Sequence, residues 1–241
     1  MSTSPDKSPV ILAFEGSTNK LSVALYADGQ VRAMKTSEAG FGQAASIVPL
    51  AVSTLAEAAV DFTALSHVAA GRGPGSFTGL RVSLAAAKGV SLAHDLPGLG
   101  ISGLEALAFA SAANAHGQPI LCLADTRRGN VYAQFFAGDA TPHGDIFEAQ
   151  IAQLPLLIPS DIALDNGFLL AGFGTDEAEN AFGAADIVTS LARVNGTGLA
   201  IDAAMIAQLA AHNLKVGIVA PLTPLYLADP RLGPKKQAPV K

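Results

Sequence analysis

The sequence predicts an α/β protein built from two related α/β domains, and three observations support this fold class. Half of the 241 residues are hydrophobic and only 15% are charged, so the chain has ample material for a packed core. Short apolar runs alternate along the chain with longer segments of helical spacing. An apolar strand, an acidic residue, a polar turn and a return strand occur twice, at 10–25 and at 120–135. We interpret this repeat as a tandem duplication of one α/β unit.

The first copy starts with the apolar run 10–14, which forms a hairpin with the alternating segment 21–25. A third strand is predicted at 31–36. Two further strands and three helices should follow, the strands at 67–71 and 96–101 and the helices at 43–60, 77–94 and 104–116.

The second copy begins with strands at 120–124 and 131–135. The apolar pattern is weaker in its later part, where it predicts strands at 169–173 and 222–227 and a helix at 198–214. The expected organisation is an N-terminal α/β domain at 10–116, a C-terminal α/β domain at 117–228 whose last helix packs back on the first, and disordered tails at 1–9 and 229–241.

Charge, cysteine content and hydropathy exclude several classes of protein. The net charge is −5, and a chain that grips nucleic acid alone usually has a basic face. The single cysteine, Cys122, lies in an apolar run and is predicted to be a buried thiol in a reducing compartment. The first ten residues are polar, and no run provides the roughly 20 mostly apolar residues of a membrane span. We therefore expect a cytoplasmic protein that does not contact membranes.

A glycine-rich segment at 71–81, GRGPGSFTGLR, lies where a strand turns into a helix. Glycine permits positive φ and close backbone approach, and a helix N-terminus offers unpaired N–H groups to an anion. The segment lacks the Lys of a P-loop and the third Gly of a dinucleotide fingerprint. Two interpretations stay open, a structural tight turn and an anion site. The residues that would face a phosphate are Gly73, Gly75, Ser76 and Thr78.

Two polar turns end the first strand of each copy. Glu15 precedes Ser17 and Thr18, and a carboxylate followed by hydroxyls can hold a hydrated metal and a phosphate or simply form a polar turn. Asp125 has the same two interpretations, with two arginines beside it. The five histidines are scattered singly, so no metal site is predicted, and no catalytic constellation emerges.

Four segments together resemble the TsaB (YeaZ) family of bacterial subunits for threonylcarbamoyladenosine synthesis. They are ILAFEGST at 11–18, GRGPGSFTGLR at 71–81 with AKG at 87–89, SGLEAL at 102–107 and DTRRGNVY at 125–132. The resemblance implies an ASKHA fold, the architecture of actin-like ATPases and sugar kinases, with two related α/β domains. The family usually has Asp at position 15, and both the longer Glu15 and the inserted Gly16 depart from its phosphate geometry.

The resemblance also implies a non-catalytic activating or scaffolding subunit that partners TsaD. TsaD transfers a threonylcarbamoyl group to the tRNA adenosine beside the anticodon, and the ATPase TsaE completes the complex. The helices at 43–60 and 77–94 would pack against TsaD, or against a second copy in a homodimer when the chain is alone. The candidate contact residues are Ile47, Leu50, Leu80 and Leu84. Contact with tRNA would come only through the complex.

No cofactor is required by this interpretation, although weak binding of ATP or ADP with Mg²⁺ at the partner interface stays open. The alternative function is an autonomous ATPase or small-molecule kinase of the ASKHA type. Arg127 and Arg128 argue against it, because they occupy a loop where a second phosphate-binding glycine cluster would be expected.

Overall fold

A computed structural model describes residues 8–38, 43–163, 166–194, 197–225 and 227. The first half forms a five-stranded sheet in the order β3-β2-β1-β4-β5. Its strands are β1 (Ile11–Glu15), β2 (Lys20–Ala27), β3 (Gln30–Glu38), β4 (His67–Gly71) and β5 (Gly98–Ile101). Its helices are α1 (Gln43–Glu57), α2 (Phe77–His94) and α3 (Gly103–Ala115). The predicted tail at 229–241 and all but the last two residues of the tail at 1–9 lie outside the described residues.

The second half forms another five-stranded sheet, in the order β10-β9-β6-β7-β8. Its strands are β6 (Ile120–Asp125), β7 (Val131–Phe136), β8 (Pro142–Ala149), β9 (Phe168–Gly172) and β10 (Thr189–Leu191). Its helices are α4 (Thr175–Gly183) and α5 (Ala203–Val216), and Arg193–Val194 pairs with Thr197–Gly198 in a short ribbon.

The two sheets repeat one topology. β1 is antiparallel to β2 and parallel to β4, and β6 is antiparallel to β7 and parallel to β9. The two halves differ at the position of α1. There the second half has a 3₁₀ segment at Ile151–Leu157, with Pro155 inside it. This shared order agrees with a tandem duplication.

Both central strands are buried on two faces, which explains why each reads as a continuous apolar run. In β1, Leu12 and Phe14 face α1 and α2, while Ile11 and Ala13 face α5. In β6, alternate residues similarly divide between α3 and the far side of the second sheet. Cys122 lies in the shared central core, as expected for a buried thiol.

Helices α3 and α5 form the layer between the two sheets. α5 packs on β1 and β2 of the first sheet although it follows the second sheet in sequence. Its start is fixed there, because Asp202 accepts from the Met205 N–H and the Ala203 N–H donates to Ser22 Oγ at 2.9 Å. The two halves therefore share one hydrophobic core.

Several boundaries differ from the sequence expectations. The first helix ends at Glu57, the last helix begins at Ala203, and no strand is assigned to the described part of 222–227. That segment instead crosses the end of β5, where Leu222 packs against Gly98 and the Leu225 N–H donates to Arg72 O at 2.9 Å. Among the described residues, the helices are all too short or too polar to span a membrane.

Candidate functional site

The glycine-rich loop before α2 packs directly on the turn between β1 and β2. The Ser76 N–H donates to Ser17 O at 2.7 Å, and a Cβ on Gly75 would lie 2.8 Å from the Cβ of Ser17. Gly79 touches Gly16 so closely that a side chain on either would overlap the other's backbone. The loop glycines thus allow two backbone segments to meet.

The same loop closes the start of α2. Ser76 Oγ accepts from the Gly79 N–H at 3.3 Å, while Gly73 and Gly75 have φ of 91° and 148°, which favour glycine. Two N–H groups that an anion would need are therefore already bound within the chain. This arrangement favours the structural interpretation of the loop over the anion site.

Glu15 is fully buried beneath the β1–β2 turn. Its Oε1 accepts from the Ser17 N–H, and its Oε2 lies against Gly71 with no hydrogen-bond partner among the described residues. Burial raises the pKa of the Glu15 carboxyl, the hydrogen bond from Ser17 opposes that shift, and the charge of Asp202 adds to it. Glu15 is not among the residues that line the cleft between the two halves of the chain.

A cleft of about 710 Å³ lies between the two halves, and residues from both polar turns line it. Ser17 and Thr18 reach it from the first turn, and Asp125 from the second. The ionisable residues that line it are Lys20, Asp125, Arg127, Asp176, Glu177 and Asp202. Carboxylates outnumber basic groups there, so the cleft is acidic.

The residues present do not fit a bound phosphate chain. Asp125 is held within its own turn, where its Oδ1 accepts from the Arg127 N–H at 2.7 Å and its Oδ2 lies 3.4 Å from Arg127 Nε. Thr78, predicted to face a phosphate, is instead exposed and lines a groove between α1 and α2. The surplus of carboxylates in the cleft also repels an anion. Of the predicted set, the structure brings Ser17, Thr18 and Asp125 to the same cleft.

The groove between α1 and α2 has a volume of about 510 Å³ and is largely apolar. Val48 is 58% exposed and Phe77 is 53% exposed, while Val52, on the same face of α1, is 51% exposed. The residues that line the groove are Ala44, Ile47, Val48, Phe77, Thr78, Arg81, Val82, Ala85 and Ala86. An exposed apolar surface of this kind is typical of a protein contact site.

The predicted contact residues are largely buried, although Ile47 also lines the groove. Ile47, Leu80 and Leu84 are only 3%, 4% and 4% exposed, because they pack on the first sheet in the protein's own core, and Leu50 is half-buried beside them. The larger aliphatic side chains fill that core, and valine and alanine line the outside. A second apolar stripe at helical spacing, Ala44, Val48 and Val52, was the signal in the sequence for the exposed face.

Comparison with known proteins gives three findings. The family model described as "TsaD: tRNA N6-adenosine threonylcarbamoyltransferase" matches residues 38–153. The tRNA threonylcarbamoyladenosine biosynthesis protein TsaB of Escherichia coli K12 is 34% identical over 142 residues, which are 58% of this chain and 61% of that protein. TsaB of Haemophilus influenzae is 34% identical over 125 residues, 51% of each. The chain thus spans about half to three fifths of the length of these two relatives.

Among solved structures, YeaZ from Pseudomonas aeruginosa is similar with a TM-score of 0.71 and 24% identity, over 91% of this chain and 100% of that chain. Together with the duplicated topology, this likeness and those to other solved structures confirm the predicted ASKHA-type α/β fold.

Proposed function

We propose that this chain, which is similar to proteins of the TsaB (YeaZ) family, takes part in tRNA threonylcarbamoyladenosine biosynthesis as a non-catalytic activating and scaffolding subunit. Its partner is TsaD, with TsaE completing the complex. The names of the relatives and of the matching family model support the pathway.

The observation that carries the scaffolding role is the exposed apolar groove between α1 and α2. The monomer exposes Val48, Val52 and Phe77 on one face, and burial of this apolar surface by a partner is favourable. Helices of TsaD cover this face in the complex, and a second copy covers it in a homodimer when TsaD is absent. With a net charge of −5, the chain relies on the complex to hold tRNA.

The two carboxylates predicted at the polar turns are both held within the chain. Glu15 is enclosed and Asp125 is tied to Arg127 within its turn, so neither offers an open carboxylate for acid–base work. Within the described residues, no group of three or more His, Cys, Asp or Glu side chains is placed to hold a metal ion.

An autonomous ATPase or kinase is the second candidate, and the cleft of about 710 Å³ is the observation that favours it. The acidic lining and the occupied N–H groups of the glycine-rich loop argue against it. Weak ATP or ADP binding with Mg²⁺ at the TsaD interface remains compatible with the scaffolding role.

Reconstitution of tRNA threonylcarbamoylation with TsaD, TsaE and the adenylate-forming enzyme tests the proposal. We expect product to depend on this chain, and Val48→Asp to abolish both TsaD binding and activation, because the substitution buries a charge in an apolar contact. Val188→Asp is the matched control, since Val188 is 69% exposed in the second half of the chain.

Full activity without this chain would contradict the scaffolding role, as would ATP hydrolysis by the isolated protein. Equal loss of binding in the Val48 and Val188 variants would show that the groove is not the contact surface. Circular dichroism of each variant establishes that it is folded.

A further inference from the structure

After α5 the chain returns to the first sheet, where residues 220–225 form a strap along the edge strand β5. The Gly100 N–H of β5 donates to Ala220 O at 2.8 Å. A Cβ on Gly100 would overlap Pro221 O, so the missing side chain is what allows the strap to lie this close. The edge of the first sheet is therefore covered by a segment from the end of the described chain.

Arg72 joins the strap to the glycine-rich loop. Its backbone O accepts from the Leu225 N–H at 2.9 Å, and its Nε donates to Thr223 O at 2.8 Å. The next residue, Gly73, accepts at its O from the Gly103 N–H at 2.9 Å. Both the backbone and the side chain of the residue that starts the loop are thus held by the strap.

The glycine-rich loop in turn sets the start of α2. Its far end is fixed by the Ser76 N–H, which donates to Ser17 O at 2.7 Å. Helix α2 begins at the next residue, Phe77, and Phe77 lines the groove between α1 and α2. The loop therefore has two anchors, the β1–β2 turn at Ser76 and the strap at Arg72.

The strap also reaches the underside of α2. Leu222 is 8% exposed and belongs to the core cluster that contains Leu80 and Leu84 of the inner face of that helix. A Cβ on Gly98 would overlap the Leu222 side chain and lie 3.7 Å from Ser91 Oγ, which places Leu222 near the last turns of α2. The strap thus supports α2 near both ends, although none of its residues lines the groove.

The contacts that hold the strap are few. Leu222 is the one buried side chain among its six residues, and Ile218 and Val219 just before it are 56% and 68% exposed. Segments with few buried apolar contacts open at a lower free energy than the core of a protein. The strap can therefore leave β5 while the two sheets stay folded.

We propose that the strap controls the affinity of the groove between α1 and α2 for TsaD. When the strap lies on β5, Arg72 holds the loop so that α2 presents the groove in its binding form, and release of the strap removes that anchor. The inference rests on the proposed function and deepens it, because it names a segment outside the groove that regulates the same surface. If only the molecules with a bound strap are competent, the apparent Kd is the intrinsic Kd divided by their fraction.

Three substitutions in the full chain test the proposal by titration calorimetry with TsaD. Leu222→Asp places a charge in an apolar position and disfavours the bound strap, and Leu225→Pro removes the N–H that Arg72 O accepts. Val219→Asp is the matched control, because it adds the same charge at an exposed position just before the strap. We expect Leu222→Asp to raise Kd about tenfold, as for a strap bound in about one tenth of the molecules. Leu225→Pro should raise Kd severalfold, and Val219→Asp should leave it unchanged.

Amide hydrogen exchange separates control through the loop from a direct contact between the strap and TsaD. In the free protein, residues 72–82 should exchange faster in Leu222→Asp and Leu225→Pro than in the wild type or in Val219→Asp. Coupling between two equilibria is reciprocal, so TsaD should slow exchange of the Leu225 N–H in the wild type. Unchanged exchange at 72–82 in both strap variants, or equal loss of affinity in Val219→Asp, would overturn the proposal.

The remaining outcomes distinguish this inference from the proposed function. If Val48→Asp abolishes TsaD binding while both strap variants bind like the wild type, the groove is the interface and the control by the strap is wrong. If the wild type does not bind TsaD, the proposed function fails and the inference fails with it. Circular dichroism should show both strap variants folded, and global unfolding of both would show that the strap is part of the core rather than a releasable segment.

Discussion

Single glycines set the distance between the β1–β2 turn and the loop that leads into α2. Gly75 has a φ of 148° and touches Ser17, so an added Cβ would be strained by both the backbone and its neighbour. Gly89, inside α2, has nothing within 4 Å of the place where a Cβ would stand. An added side chain should therefore have opposite effects on stability at Gly75 and at Gly89.

We expect Gly75→Ala to lower the free energy of unfolding by about 2–3 kcal/mol, because overpacking and a disfavoured φ act together. Gly89→Ala is the matched control and should raise it by about 0.5–1 kcal/mol, since alanine is the better helix former. Urea titrations followed by circular dichroism measure both. A Gly75→Ala protein as stable as the wild type would show that the loop does not need this contact.

Burial of Glu15 makes the free energy of unfolding depend on pH. Its pKa in the folded protein is raised above the ordinary value of 4.5, mainly by burial. The contribution of the Glu15 carboxyl to the free energy of unfolding is therefore fully present below the pKa that this group has in the unfolded chain. It is lost as the pH rises through the pKa that the group has in the folded protein. Glutamine has the same shape, can still accept from the Ser17 N–H and carries no charge.

We therefore expect Glu15→Gln to be more stable than the wild type, with a difference that is smallest near pH 4 and grows towards neutral pH. Subtracting the two unfolding free energies at each pH removes the effects of carboxyls that do not interact with Glu15. A difference that stays constant between pH 4 and pH 8 would show that Glu15 is not titrating in a buried position.

Helix α2 has two apolar faces that do different work. The inner face, with Leu80 and Leu84, packs on the first sheet, and the outer face, with Phe77 and Val82, lines the groove. Periodicity alone could not assign these roles, because apolar residues at helical spacing occur on both faces. The exposure of each side chain depends on the sheet beneath it, which is tertiary information.

Leu84→Asp should prevent folding rather than release a folded monomer from its partner. Leu84 is 4% exposed among apolar side chains, and an unpaired carboxylate there has no compensating contact. Val52→Asp, on the exposed face of α1, should stay folded and serves as the comparison. Thermal melts of the two variants test this prediction. A Leu84→Asp protein that unfolds cooperatively at the wild-type melting temperature would contradict the burial of Leu84 in the core.

The elements that the sequence predicted are those with a strong local pattern. In both hairpins, β1–β2 and β6–β7, the first strand begins with an unbroken run of buried apolar residues and leads into a polar turn. Strand β8 and helix α4 were missed, because β8 is largely exposed and the nine-residue α4 begins with an acidic turn. Their positions depend on the rest of the second sheet rather than on their own composition.

At the scale of the whole molecule, the duplicated topology determines which polar residues meet. The turns after β1 and β6 occupy equivalent places in the two halves, so Ser17 and Asp125 reach the same cleft. The repeat in the sequence was enough to pair these turns. It could not show that Glu15 would be enclosed against Gly71, because that contact joins residues far apart in the chain.

The two halves are joined by α5, which lies after the second sheet but covers the first. Ile206, Ala207 and Ala210 are completely buried in the core that also contains Ile11 and Ala13 of β1. A fragment that ends at residue 116 would expose this face of its sheet to water. Full burial of an isoleucine such as Ile11 is worth about 1.5–3 kcal/mol, comparable with a large part of the net stability of a domain.

We therefore expect residues 8–116 to fail to fold alone, although they contain one complete copy of the repeated strands. Adding residues 117–227 as a separate chain should restore the structure, because it supplies α5 to the uncovered face of β1 and β2. Amide proton dispersion in NMR spectra distinguishes the states, and Ile206→Asp in the added fragment is the control that should block recovery. A well-dispersed spectrum for residues 8–116 alone would show that the first half carries its own complete core and that α5 is dispensable to it.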